Sequence, residues 1–264
     1  MIDTHCHLTY DGLHEQIDAV VTRAEAAGVD RFISVGTTPR DSAAAIALTE
    51  RFRGRVFATA GVHPHYSAEV GDDNKWLADL RTLTLNPTVV ALGEMGLDRH
   101  YPEPPMELQQ RVFAAQLTLM TQGHWNGPAV IHNREATPDT LRMIREAGLP
   151  GDRFVFHCFT GSPAEIDAIL EFGAMVSFTG IVTFASAPQV AEASDRVPLD
   201  RLMVETDSPY LTPAPHRKVR PNEPRFVARV AEFLANRRGL PLDAFIQAVD
   251  HNAEQFFRLP GLTH

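Results

Sequence analysis

Cysteine and lysine are both scarce in this chain of 264 residues: Cys6 and Cys158 are its only cysteines, Lys75 and Lys218 its only lysines. Two cysteines are too few for the disulfide framework of a small secreted scaffold and suit a reducing compartment. No apolar run is long enough to cross a bilayer. No positively charged, apolar leader precedes the first strand, and a cleavable signal would remove residues 5 and 7 with it; the expectation is a soluble, cytoplasmic protein. Basic character is lacking too. A formal net charge of -9 excludes a protein that coats nucleic acid by bulk electrostatics, so an anionic ligand has to be met locally.

What the chain has is apolar content, 44% of its residues, spread without a composition break, a charge block or an internal repeat. One domain over 1–264 is expected. Eight short β-rich runs recur: Ile2 to His5, Phe32 to Val35, Val56 to Ala60, Val89 to Leu92, Ala129 to Ile131, Phe154 to Phe156, Met175 to Phe178 and Leu202 to Val204. Amphipathic stretches lie between them. Leu13, Ile17, Val20, Val21 and Ala24 make one apolar helix face that Gly28 stops, and Ser162-Pro163-Ala164-Glu165 is a capping box opening a helix toward Phe172. Further helices read from Met106, Pro138 and Glu223, and a closing helical segment from Pro241 to Phe257, with Asn252 capping its last turn. The segments Pro102 to Pro105 and Pro209 to Pro215 read as βα loops. Eight alternating units of this length predict a parallel TIM (β/α)8 barrel, with an open doubly wound sheet as the structural alternative.

In an extended strand alternate side chains share a face, so His5 and His7 point together while Cys6 turns away. Four further donors, Glu94, His132, His157 and Asp207, follow directly on, or lie within a few residues of, an apolar run. In a barrel every strand delivers its carboxyl end to one mouth, and the six side chains would gather there. Imidazole and carboxylate donors suit divalent zinc or manganese, and two ions about 3.5–4 Å apart share a carboxylate and activate one water. Six donors exceed what one zinc ion needs. A carbamylated lysine cannot bridge, because neither lysine ends a strand; Glu94 is left as the bridge. Cys6 and Cys158, turned from the adjacent histidines, are assigned to packing.

The motifs DTHCHL at Asp3, GVHPH at Gly61, GEMGLD at Gly93, IHNREA at Ile131, HCFTGS at His157, ETDSPYL at Glu205 and NEP at Asn222 follow one another along nearly the whole chain. In that order they resemble the TatD-type metal-dependent deoxyribonucleases, within the amidohydrolase-like barrels. The resemblance implies that His5, His7 and Asp207 hold one divalent ion (Zn, Mn or Mg) and His132 and His157 a second, with Glu94 between them. It implies hydrolysis of phosphodiester bonds, with DNA as substrate and 3′ to 5′ removal from single strands. Catalysis is expected to rest on Glu94 and on Asp207, which accepts or orients the proton of the attacking water. Three places depart from the family pattern: GLDRHY replaces a more usual tyrosine, Asn133 follows His132, and His124-Trp125-Asn126-Gly127 precedes the fifth strand. All six ligands are untouched.

Around this centre, His63 is expected to donate to a substrate phosphate and Arg134 to fork it, ahead of His65. Glu205 shares the face of Asp207 and orients a ligand or a substrate hydroxyl. Phe159 and Tyr210 are placed to touch a base or sugar; Trp76 belongs to a helical apolar pattern, and Trp125 stays open. Arg217, Lys218 and Arg220 form a basic loop that either tracks a nucleic-acid backbone or is a solvated charge run. An ester or amide hydrolase of the same barrel, such as a deacylase of misacylated tRNA, uses the same donors and is the competing function. A scaffold with a closed structural zinc fits poorly, since four ligands would suffice.

Overall fold

A computed structural model describes residues 1–71 and 75–260. Eight strands, β1 (Ile2–Cys6), β2 (Arg31–Ser34), β3 (Val56–Ala60), β4 (Val89–Asp98), β5 (Ala129–Arg134), β6 (Phe154–Phe156), β7 (Met175–Phe178) and β8 (Leu202–Val204), form one sheet. They pair in parallel in chain order. A doubly wound sheet reverses its strand order partway; this one never does. Between β8 and β1 the ring is nearly closed: Asp207 N–H donates to the His5 carbonyl at 2.9 Å and His7 N–H to the Ser208 carbonyl at 2.8 Å. The architecture is the predicted α/β barrel.

The helices cover the outside: α1 (Ile17–Ala26), α2 (Pro39–Arg51), α3 (Lys75–Leu83), α4 (Met106–Thr121), α5 (Thr137–Glu146), α6 (Pro163–Phe172), α7 (Pro188–Arg196), α8 (Val227–Arg238) and α9 (Leu242–Phe257). Their boundaries follow local chemistry. On α1, Ile17, Val20, Val21 and Ala24 are the buried residues, the spacing that puts them on one stripe. At α6, Ser162 and Glu165 complete the capping box and Gly173 ends the helix at φ +94°. Trp76 is buried on α3. Trp125 is half-buried, its indole N–H held by the Pro128 carbonyl at 2.8 Å.

The barrel interior explains how the site is aimed. Ile2, Ile33, Phe57, Val90, Val130, Val155, Met175 and Met203, one from each strand, form an inner apolar cluster at the floor, closed by Ala253, Phe257 and Leu259. Counting by twos from these floor residues toward the mouth reaches His63 beyond β3, His132 and Arg134 on β5, His157 beyond β6, Ser177 on β7, and Glu205 and Asp207 beyond β8. β1 breaks the count, because Ile2 to His5 is an odd step. A bulge between Asp3 and Cys6 adds one residue against β2 and restores the inward aim of both histidines.

Two expectations need correction. β4 and β5 run to Asp98 and Arg134, longer than the apolar runs that announced them, since polar side chains facing the mouth continue the ladder. Gly96 makes that possible: at φ +145°, a Cβ there would sit 2.0 Å from the His132 carbonyl oxygen. Asn252 caps nothing. It lies within α9 and its side-chain amide donates to the carbonyls of Leu199 and Leu202, tying the floor helix to β8.

Because α9 plugs the barrel end opposite the chemistry, Phe257→Ala should lower unfolding free energy by about 3–5 kcal/mol. Denaturant titration measures it. The metal affinity of the folded fraction should stay within twofold.

Candidate metal centre

The six predicted ligands converge. Glu94, only 2% exposed, stands in the middle. Its Oε2 faces His5 Nε2 at 3.4 Å and His7 Nε2 at 3.9 Å; its Oε1 faces His132 Nδ1 at 2.8 Å and His157 Nε2 at 2.7 Å. Asp207 Oδ1 completes the first group, 3.7 Å from His5 Nε2 and 3.3 Å from His7 Nε2. One carboxylate thus offers one oxygen to each of two donor sets.

The donor spacing of the first set is close to that around a bound cation. Ligand atoms about 2.0–2.2 Å from a tetrahedral zinc ion stand about 3.3–3.6 Å from one another. Two of the four separations of the first set, 3.3 and 3.4 Å, fall in that range and the other two, 3.7 and 3.9 Å, lie just beyond it, and His5 Nε2, which faces both carboxylates, is buried without a hydrogen-bond partner. Buried polar atoms without partners are rare and ask for an explanation; a cation between imidazole and carboxylate provides one.

In the second set the partners beyond the ligands settle the ring orientations. Asp98 Oδ2 accepts from His132 Nε2 at 2.9 Å, which leaves the Nδ1 lone pair aimed at Glu94. Glu205 Oε1 lies 3.2 Å from His157 Nδ1 and leaves Nε2 aimed at the same oxygen. A bare nitrogen and a carboxylate oxygen less than 3 Å apart repel unless a proton or a metal ion lies between them. Glu205 is itself held by the Cys158 N–H at 2.7 Å and the Ser177 hydroxyl at 2.5 Å and is 1% exposed. It therefore orients a ligand and is out of reach of a substrate hydroxyl.

The electrostatics agree with a cation-seeking site. Burial alone would raise the Glu94 carboxyl, but the charges of His157, His63 and His5 hold it well below the usual carboxylate range. Burial likewise opposes protonation of His7, His132 and His157, yet Asp207, Asp98 and Glu94 outweigh it and raise all three above the ordinary imidazole value. Asp207 is lowered, burial being overcome by His7 and His5.

His63 behaves differently. Burial drops it to about 4, so the ring is neutral at neutral pH. Its Nδ1 accepts the His65 backbone N–H at 3.0 Å, which places the ring proton on Nε2, 3.1 Å from His132 Nδ1 and 3.3 Å from Glu94 Oε1. Coordination through Nε2 would strip both nitrogens of protons; His63 is a hydrogen-bond donor at the centre's edge. His65, by contrast, is bound to Asp98 at 2.9 Å.

The ligands open into a cavity of ≈ 1310 Å3 whose lining includes Arg134 and Tyr210, the latter 53% exposed. Phe159 is placed elsewhere: 4% exposed, it packs edge-on against Phe178 in the shell, because the first residue after His157 and Cys158 turns back under β7. Cys6 is packed as expected, whereas half-buried Cys158 lines the cavity at φ 45°, its thiol pushed up by burial and kept protonated. Arg217 lies over the Phe184 ring at 3.5 Å and Arg220 bonds Thr212 and Val219, and neither they nor Lys218 line the cavity. The sequence pattern did not point to Asp98. Its place two residues beyond Gly96 in an extended β4 was the only signal.

A parallel barrel whose mouth presents histidines around a buried, shared carboxylate defines a metal-dependent hydrolase. The family model of TatD-related DNases matches residues 2–258, and the chain belongs to that family. It is 37% identical over 262 residues to YcfH of Escherichia coli K12, described as an uncharacterized metal-dependent hydrolase, covering 98% of this chain and 96% of that one. It is also 37% identical over 271 residues to the 3′-5′ ssDNA/RNA exonuclease TatD of Edwardsiella piscicida, covering 98% and 100%. Among solved structures, the TatD homologue YJJV of Escherichia coli K12 superposes with a TM-score of 0.91 at 29% identity, over 98% of both chains.

Two outcomes follow from this geometry. Glu94→Gln should lower metal content and turnover together, read by elemental analysis and rate; full loading with near-normal hydrolysis would contradict a shared carboxylate. In the metal-free protein the raised imidazoles hold protons that an ion must displace. Their contribution to stability is fully present below about 6.5 and lost as pH rises through the raised values. Metal affinity should run the other way, strengthening as pH rises above about 6.5 with protons released, as calorimetry in buffers of different ionisation enthalpy will show.

Proposed function

We propose that the protein is a two-metal phosphodiesterase that removes nucleotides from the 3′ end of single-stranded DNA. The observation that carries this is the division of Glu94 between two donor sets, the arrangement that in-line displacement at phosphorus exploits. His5, His7 and Asp207 would hold one ion, His132 and His157 the other. Bound divalent ions (Zn, Mn or Mg) neutralise phosphate charge and lower the pKa of water.

The chain's own groups do the rest. Asp207 is ionised and 15% exposed toward the cavity, so it can take the proton of the attacking water. His63 Nε2–H donates to a phosphate oxygen as charge builds, and being neutral it does so across the working pH range. Arg134 lines the same cavity and supplies the fixed positive charge. The similarity to an exonuclease acting on single strands supports the substrate class. A deacylase of misacylated tRNA shares the ligands, but an arginine at the mouth favours an anion at the reacting centre.

Oligonucleotides labelled at the 3′ or 5′ end, assayed with Mn, Mg or Zn beside an aminoacyl ester, decide between them. Stepwise loss from the 3′ end, abolished by chelator, is expected; turnover of the ester alone would overturn the proposal. His63→Ala should lower kcat by about 100-fold with metal content unchanged.

A further inference from the structure

Among the aromatic side chains that line the mouth, Tyr101 is the one that carries an arginine over its ring. Tyr101, in the loop after β4, is 49% exposed. His65 and His100 meet its ring edge-on at 5.3 and 4.8 Å, and the Arg134 guanidinium lies over the ring, 5.4 Å from its centroid. Arg134 is the only arginine or lysine in the cavity lining among the described residues, against Glu94, Glu103, Glu135, Glu165 and Asp207. Its guanidinium makes no hydrogen bond or ion pair with any described residue. The nearest acid in sequence, Glu135, is taken by His100 at 2.9 Å.

A guanidinium steadied against a ring projects its N–H donors outward in its own plane, which is where a phosphate binds. Here the five donors are unused by the protein while carboxylates surround them. The tyrosine ring is likewise edge-packed on two histidines and stays half open to solvent, as a stacking surface requires.

We propose that Tyr101 and Arg134 form a nucleotide platform: the 3′-terminal base stacks on the Tyr101 ring, and Arg134 forks the phosphate next to the scissile one. This rests on the phosphodiesterase reading above. It gives the site a preference for strands with a base at the end over simple phosphodiesters, through a residue two positions beyond GLDR that touches no ligand carboxylate.

The test uses the Mn-loaded protein with a single-stranded decanucleotide carrying a normal or an abasic 3′ end, and with bis(p-nitrophenyl) phosphate, which has neither base nor second phosphate. Tyr101→Ala should raise KM for the normal strand about tenfold with kcat within twofold. Wild type should lose the same factor on the abasic strand, the variant should lose nothing more there, and hydrolysis of the small diester should not change in either. Tyr101→Phe, which keeps the ring, should behave as wild type, and Arg134→Lys should raise KM for both strands.

An equal loss for Tyr101→Ala on all three substrates would mark a merely structural residue and overturn the platform, as would an unchanged KM on the normal strand. If Tyr101→Ala misfolds, wild type still decides, because equal KM for normal and abasic ends refutes stacking. Wild type that cleaves the small diester but no strand removes the nuclease reading and the platform with it. Cleavage of strands with Tyr101→Ala indistinguishable from wild type removes the platform alone.

Discussion

A carboxylate that has been taken out of water must be neutralised by whatever surrounds it, and the whole mouth of this barrel is arranged around one such group. Glu94 is buried beside His5, His63, His132 and His157, and burial of an ion without compensation is costlier than any single contact in the fold. The histidines cannot relax away, because each is set by a strand whose floor residue is packed in the inner cluster. Asp98 and Glu205 then fix which nitrogen of His132 and of His157 faces the centre. Charge compensation at one side chain therefore determines ring orientation at two others and makes the centre a receptor for cations.

Much of this was readable in the chain itself. Strand alternation carried the ligands on β5, β6 and β8, since their floor residues and mouth residues keep even spacing and no irregularity intervenes. The His5 and His7 pair was readable only as a pair. Its inward direction depends on a bulge, which exchanges one backbone register for another and leaves no side-chain signature. The long β4 was hidden for a related reason: Glu94 and Asp98 are polar, so an apolar run ends at Leu92 while the ladder goes on to Asp98. Phe159 shows the opposite limit. Proximity in sequence to His157 said nothing about which way the loop turns, and the ring went into the core. Asn252 was placed by residue type at a helix end, whereas the amide serves two carbonyls of another element.

The barrel also separates two kinds of demand. Apolar packing and the Asn252 amide hold the floor, and neither contributes an atom to the mouth. The mouth holds imidazoles and ionised carboxylates oriented by their hydrogen bonds, and a guanidinium laid over a tyrosine ring. Its rim is aromatic, with Tyr101 on one loop and Tyr210 on another, both among the exposed large hydrophobic side chains of the described residues. A scaffold divided this way keeps its rim chemistry independent of its packing.

The sealed floor has a topological meaning as well. Ala253, Phe257 and Leu259 make the barrel a blind well, so no polymer can be threaded through it. Whatever reaches the carboxylates must enter and leave by the same doorway.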